Sequence, residues 1–150
     1  MTKLTVIEPG GENLSRRISG LIARRGGISV INVPLANAAH DTDILVVSPY
    51  CDVTAPEYAG LRCRFLLLPG GVRAGFADAQ CVVTYGMGVK NTLTLSSIGE
   101  DDCFLALQRE VVTVSGGVLD RQEFKVRAAG GTDDVLATNG ALLLLDLPPD

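Results

Sequence analysis

The chain has no tryptophan, a single histidine, and only three tyrosines and four phenylalanines. So few aromatic faces leave little from which to build a stacking platform for single-stranded nucleic acid. Basic charge is not in excess either, with 13 Lys and Arg against 17 Asp and Glu for a net charge of −4. A nucleic-acid binder needs a basic face to neutralise phosphates, so that class is set aside. One histidine, His40, rules out a His-rich metal site. Standing beside Asp41 and Asp43, it reads as an exposed turn residue rather than a general base.

Cysteine is present but unpaired in pattern. Cys51, Cys63, Cys81 and Cys103 lie far apart and form no C-x-x-C. They read as reduced thiols acting as small hydrophobes, and no metal site is expected. No apolar run is long enough to span a bilayer, and Met1 to Leu4 leads straight into a strand-like run without an apolar leader core. The expectation is a cytoplasmic protein with no membrane and no nucleic-acid partner. Three catalytic signatures are missing as well: the dinucleotide G-x-G-x-x-G, the P-loop G-x-x-x-x-G-K-[ST] and the nucleophile elbow G-x-S-x-G.

What remains is 150 residues, 47% of them hydrophobic, enough for one domain with a real core. Leu4 to Ile7, Ile28 to Val33, Ile44 to Val47, Phe65 to Leu68 and Cys81 to Thr84 are continuous apolar runs. Strands buried on both faces look like this, as in parallel sheets covered by helices. Between the first two, Leu14, Ile18, Leu21 and Ile22 fall on one helical face, and Gly26-Gly27 ends that helix. Short helical connections are expected within Pro34 to His40 and over Val72 to Ala79. The second half alternates instead, at Thr92 to Ser96 and Glu123 to Arg127, so each strand there has one wet face. Thr132-Asp133-Asp134 reads as an N-cap with acids in the first turn, opening a helix to about Leu145. The fold class is therefore α/β: a Rossmann-like parallel sheet with helices on its faces (residues 1–90), then an antiparallel β extension and a C-terminal helix (91–150), in a single domain.

Two apolar strands end alike, in Pro9-Gly10-Gly11 and in Pro69-Gly70-Gly71. In a doubly wound sheet both turns fall at the carboxyl edge, where ligands bind. Glycines let backbone amides approach an anion, the helix from Asn13 adds the positive end of its dipole, and Arg16 or Arg73 adds charge. The ligand contacts expected are Gly10, Gly11, Asn13, Gly70, Gly71 and Tyr85. The same glycines also suit two plain tight turns. No residue is assigned to catalysis or to a metal, and no cofactor is identified. Gln108-Arg109-Glu110 and Gln122-Glu123 interrupt apolar runs, as a charge-protected edge or a partner surface would.

Cys81-Val82-Val83-Thr84-Tyr85-Gly86-Met87-Gly88 resembles the last core strand of the Mur ligase central domain, where a V-I-T-Y-G strand precedes a polar linker and alternating strands. Lys90 to Ser97 and Cys103 to Leu107 fit that continuation, so the resemblance covers about residues 43–107. It implies the sheet scaffold of such a ligase without its engine, because the G-K-T loop, the carbamylated lysine and the magnesium-binding Glu and His have no match. The whole chain is also similar to short bacterial proteins with this strand pattern. Three readings follow. One is a non-catalytic domain binding a protein partner or a small phosphorylated ligand. Another is an enzyme acting on a nucleotide-sugar or peptide as a Mur-ligase-like fragment. The third is a structural homo-oligomer, suited by a mean hydropathy of +0.29.

Overall fold

The computed structural model describes residues 2–9, 13–23, 27–33, 41–53 and 58–150. Strands β1 (Thr2–Ile7), β2 (Ile28–Val33), β3 (Thr42–Val47), β4 (Leu61–Pro69), β5 (Ala77–Tyr85), β6 (Leu93–Ile98), β7 (Asp102–Leu107) and β10 (Gln122–Arg127) form one eight-stranded sheet. Its order is β10-β7-β6-β5-β4-β3-β1-β2. The first six strands in sequence pair in parallel, and β7 pairs antiparallel with both β6 and β10. A small antiparallel pair, β8 (Val111–Val112) and β9 (Val118–Leu119), stands apart. The fold is thus the expected one, a parallel α/β sheet with an antiparallel extension and a closing helix.

Among the described residues two α-helices accompany the sheet, α1 (Leu14–Ile22) and α2 (Thr132–Leu144). Helix α1 is two-faced, burying Leu14, Ile18 and Ile22 and exposing Arg16 and Gly20. Helix α2 is different: every residue from Val135 to Leu144 is buried. A helix apolar on all sides belongs inside a protein. It lies against β3, β4, β5 and β6 and beneath α1. One hydrophobic cluster joins Leu4 and Val6 of β1, Leu67 of β4, Leu105 of β7 and Val126 of β10 to both helices. Both described helices share this face. The opposite face, with Ile7, Leu45, Leu66 and Leu68, is covered by Val53, Tyr58, Val72 and Phe76 from connecting segments.

Three local expectations are corrected. The connection before β5 is only a 3-10 turn, Ala74–Phe76, and the strand begins at Ala77. Ala77, Asp78 and Ala79 pair with Leu61, Arg62 and Cys63, so β4 recruits the end of the expected helical connection into the sheet. The N-cap of α2 is Gly131, not Thr132, and no side chain caps it. Asp133 and Asp134 do sit in the first turn, where carboxylates complement the dipole. The expected helical turn over Pro34 to His40 lies outside the described residues.

The far end of α2 is tied to the turn after β8. Val114 donates its amide to Leu144 O at 2.9 Å, and Arg64 donates to Val114 O at 3.1 Å. Ser115 N donates to Asp146 Oδ2 at 3.1 Å. Burial pushes the Asp146 carboxyl up, but hydrogen bonds from Thr113 and Ser115 outweigh it and hold the group below the ordinary carboxylate range. A group depressed on folding adds stability above its unfolded pKa and loses it as pH falls through the folded one. Wild-type Tm is therefore expected to drop on acidification below the ordinary carboxylate range more steeply than that of Asp146→Asn, as a thermal scan against pH would show.

Gly140 lies where α2 comes closest to the sheet. A Cβ there would stand 2.9 Å from Leu67 Cδ2 and 3.0 Å from Leu93 Cδ1, both in the closed core. Gly140→Ala gains about 1 kcal/mol of helix propensity and meets an overpacking cost of about 1–3 kcal/mol. Net destabilisation in urea unfolding is expected. Gly20, on the open face of α1, has nothing within 4 Å of such a Cβ. Gly20→Ala should stabilise by about 1 kcal/mol.

Candidate functional site

The sheet order 2-1-3-4-5 reverses direction between β1 and β3, which makes the carboxyl ends of these two strands the place to look for a ligand. Ser48 N donates to Ile7 O at 2.9 Å and closes the two strand ends together. Beyond them stands the N-terminus of α1, whose first amides need acceptors. Asn13 is the N-cap, exposed and left-handed at φ 58°, and its side chain makes no cap hydrogen bond.

The acceptor is Glu8. It is 3% exposed, and its Oε2 accepts the Leu14 amide at 2.9 Å while Oε1 accepts the Ser15 hydroxyl at 2.6 Å. A carboxylate from the end of β1 thus holds the position at which an anionic ligand was expected. The helix end supplies N–H donors and the positive end of a dipole, and Glu8 supplies the acceptor oxygens. A phosphate at this point would compete with Glu8.

The second turn is built differently. Val72 N donates to Pro69 O at 3.3 Å, and Gly71 takes φ +86°, which glycine adopts without strain. Gly70 N donates to Tyr85 O at 2.8 Å. A Cβ on Gly70 would overlap Asn91 Oδ1, and Gly86 and Gly88 also lie against the Asn91 side chain. Glycine is needed here because a carboxamide of the same chain rests on the backbone. A polar side chain of the protein itself thus occupies each place, Glu8 at the N-terminus of α1 and Asn91 at the Gly70 turn.

Of the six expected contacts, Gly70 and Tyr85 are brought together by that backbone bond, Gly71 follows in the same turn, and Asn13 caps α1. Gly10 and Gly11 lie outside the described residues, as does His40. The Tyr85 side chain is fully buried, and its hydroxyl donates to Val47 O at 2.6 Å, reaching across β4 to the end of β3. Burial raises its pKa first, with Asp133 and Asp134 adding to the effect. It is a structural strut of the switch point and does not face solvent.

The four cysteines are all free; Cys63 and Cys103 are buried and Cys51 and Cys81 half-buried. Burial, then the nearby Asp78, pushes the Cys63 thiol up to about 11. Burial likewise raises Cys103. Both remain protonated at neutral pH and are poor nucleophiles. Among the described residues no three His, Cys, Asp or Glu side chains converge as metal ligands. No described helix is long and apolar enough to cross a membrane.

A separate concavity of about 580 Å³ opens on the outer face of the antiparallel extension. Met87, Val89, Thr94, Ala106, Gln108 and Glu123 line it. Met87 and Val89 are 55% and 86% exposed, and Phe104, on the same side of β7 as Ala106, is 40% exposed. The loop that carries Met87 and Val89 is braced. Gln108 Nε2 donates to Gly88 O at 3.2 Å and to Asn91 O at 2.8 Å, and Thr92 N donates to Thr84 Oγ1 at 3.1 Å. Gln108 had stood out as an interruption between apolar runs, but its role as a brace shows only once β7 is placed beside the loop. No protein-family model, no curated protein and no solved structure matches the chain.

Replacing Glu8 tests the self-capped helix. Glu8→Ala should cost about 1–2 kcal/mol, the usual loss for an N-terminal cap. Sulfate or phosphate should then stabilise the variant more than wild type in a thermal-shift titration. Equal response in both proteins would show that Glu8 does not hold the site.

Proposed function

We propose that this chain is a non-catalytic, Rossmann-type binding module that works in the cytoplasm and docks a protein partner on the outer face of its antiparallel extension. The observation that carries the reading is the braced loop presenting exposed Met87 and Val89 on the lining of the concavity. Single exposed apolar residues are ordinary, but a group of them around a concavity is typical of interaction surfaces. A surface held in place before binding loses less entropy on association. Gln108, Arg121 and Glu123 on the same lining supply the polar groups that such surfaces combine with apolar ones.

The alternative within this class, a small phosphorylated ligand at the carboxyl edge, is less favoured because Glu8 and Asn91 stand where it would bind. The Mur-ligase-like character belongs to the same proposal. Consecutive parallel strands β3, β4 and β5, followed by alternating β6 and β7, support it over residues 43–107. An enzyme acting on a nucleotide-sugar or peptide would be favoured by carboxylates clustered at the two turns. Glu8, which stands there, is committed to α1.

A photo-crosslinking amino acid at Val89 tests the partner, with one at Gly75 as the control. One discrete protein adduct in cells, specific to position 89 and lost on Ala106→Lys, is expected. Adducts shared by both positions would sink the reading. A homodimer of this chain at position 89 would replace the foreign partner with self-assembly.

A further inference from the structure

A second cavity, of about 350 Å³, lies on the other side of the molecule between α1, α2 and the end of β10. Leu21, Gly20 and Val135 give it an apolar wall, and Arg16, Arg17 and Arg127 surround it with three guanidiniums. The volume suits a small organic molecule.

Two of the arginines are fixed in place. Arg17 donates through Nη1 to Ala129 O, and its guanidinium rests against Gly130, which has room for it only because it lacks a Cβ. Arg127 is paired with the Asp150 carboxylate. Asn139 is fully engaged as well, donating to Val135 O at 3.0 Å and accepting the Asp150 amide at 2.7 Å. Arg16 is exposed and has no hydrogen-bond or ion-pair partner among the described residues. Three basic residues against one acidic residue on the lining leave positive charge in excess on a protein whose net charge is −4.

Thr138 supplies an independent sign. It lies on the wall of the same cavity, is 3% exposed, and its Oγ1 is the one buried side-chain polar atom among the described residues without a partner. A helical threonine ordinarily donates to the carbonyl one turn back. An unsatisfied buried hydroxyl costs stability, and a ligand oxygen would give it the acceptor it lacks.

We infer that this cavity binds a small organic anion, with a phosphate or carboxylate head held by Arg16 and Thr138 and an apolar body against Leu21 and Val135. The site is separate from the outer face and does not depend on the partner proposed there. Binding involves no covalent step.

Calorimetric titration of the full chain with phenyl phosphate and with benzoate tests it, using benzyl alcohol and inorganic phosphate as controls. Saturable binding of at least one of the two organic anions, tighter than that of either control, is expected. Whichever binds tighter identifies the head. Arg16→Gln should weaken it by about tenfold, equivalent to 1.4 kcal/mol. Thr138→Val should weaken it while raising Tm, because the orphan hydroxyl is gone. Gly20→Leu should block it by filling open space, with the fold retained. No saturable binding of either anion, equal binding of benzyl alcohol or inorganic phosphate, or unchanged affinity in both Arg16→Gln and Gly20→Leu would overturn the inference.

Discussion

Strands β5 and β6 meet at a single residue pair, Tyr85 with Leu93. Everything beyond that bridge, the three-stranded extension β6-β7-β10, would be loosely attached if backbone pairing were all that held it. Helix α2 supplies the rest. It touches β3, β4 and β5 on one side of the bridge and β6 on the other, and buries Leu136, Leu142 and Leu144 almost completely. Each such side chain contributes roughly 1.5–3 kcal/mol by leaving water. Gly140 sets how near the helix can come, with Leu67 and Leu93 as the neighbours that meet it from the two sides of the bridge. The relative placement of the parallel sheet and its extension therefore depends on one apolar helix.

Much of this was readable from residue order. The continuous runs Leu4 to Ile7 and Ile44 to Val47 announced strands covered on both faces, and the alternation in Glu123 to Arg127 announced a strand with one wet face. The order of strands was not readable, because the runs are chemically interchangeable and pairing is decided by contacts far apart in sequence. The start of β5 was missed because Ala77, Asp78 and Ala79 have no strand preference of their own and take strand form only beside β4. The site was less legible still. Nothing local shows that Glu8 turns back onto Leu14 and Ser15, or that Asn91 lies on Gly70. Arg16, Arg17 and Arg127 come from two distant segments, and Thr138 looks like any core threonine until its neighbours are known.

The carboxyl edge shows how the same physics can serve a ligand or the chain itself. A helix end with unpaired amides and a glycine turn are places where a polar guest is favourable. Here the guests are a carboxylate and a carboxamide from neighbouring segments. The exchange fixes the ends of β1 and β4 without an external molecule, and Tyr85 adds a third tie through Val47. Among the described residues two open concavities lie elsewhere, on the face of β6 and β7 and between α1 and α2.

Helix α2 comes after the ten described strands, yet its partners Leu67, Tyr85 and Leu93 belong to the middle of the sequence. Contacts of such separation are slow to form, because a long loop must close before they contribute. On the ribosome, the apolar face of the emerging sheet stays uncovered until residues 132–144 have left the exit tunnel. During that interval the nascent chain presents the kind of surface that chaperones hold and that aggregates recruit.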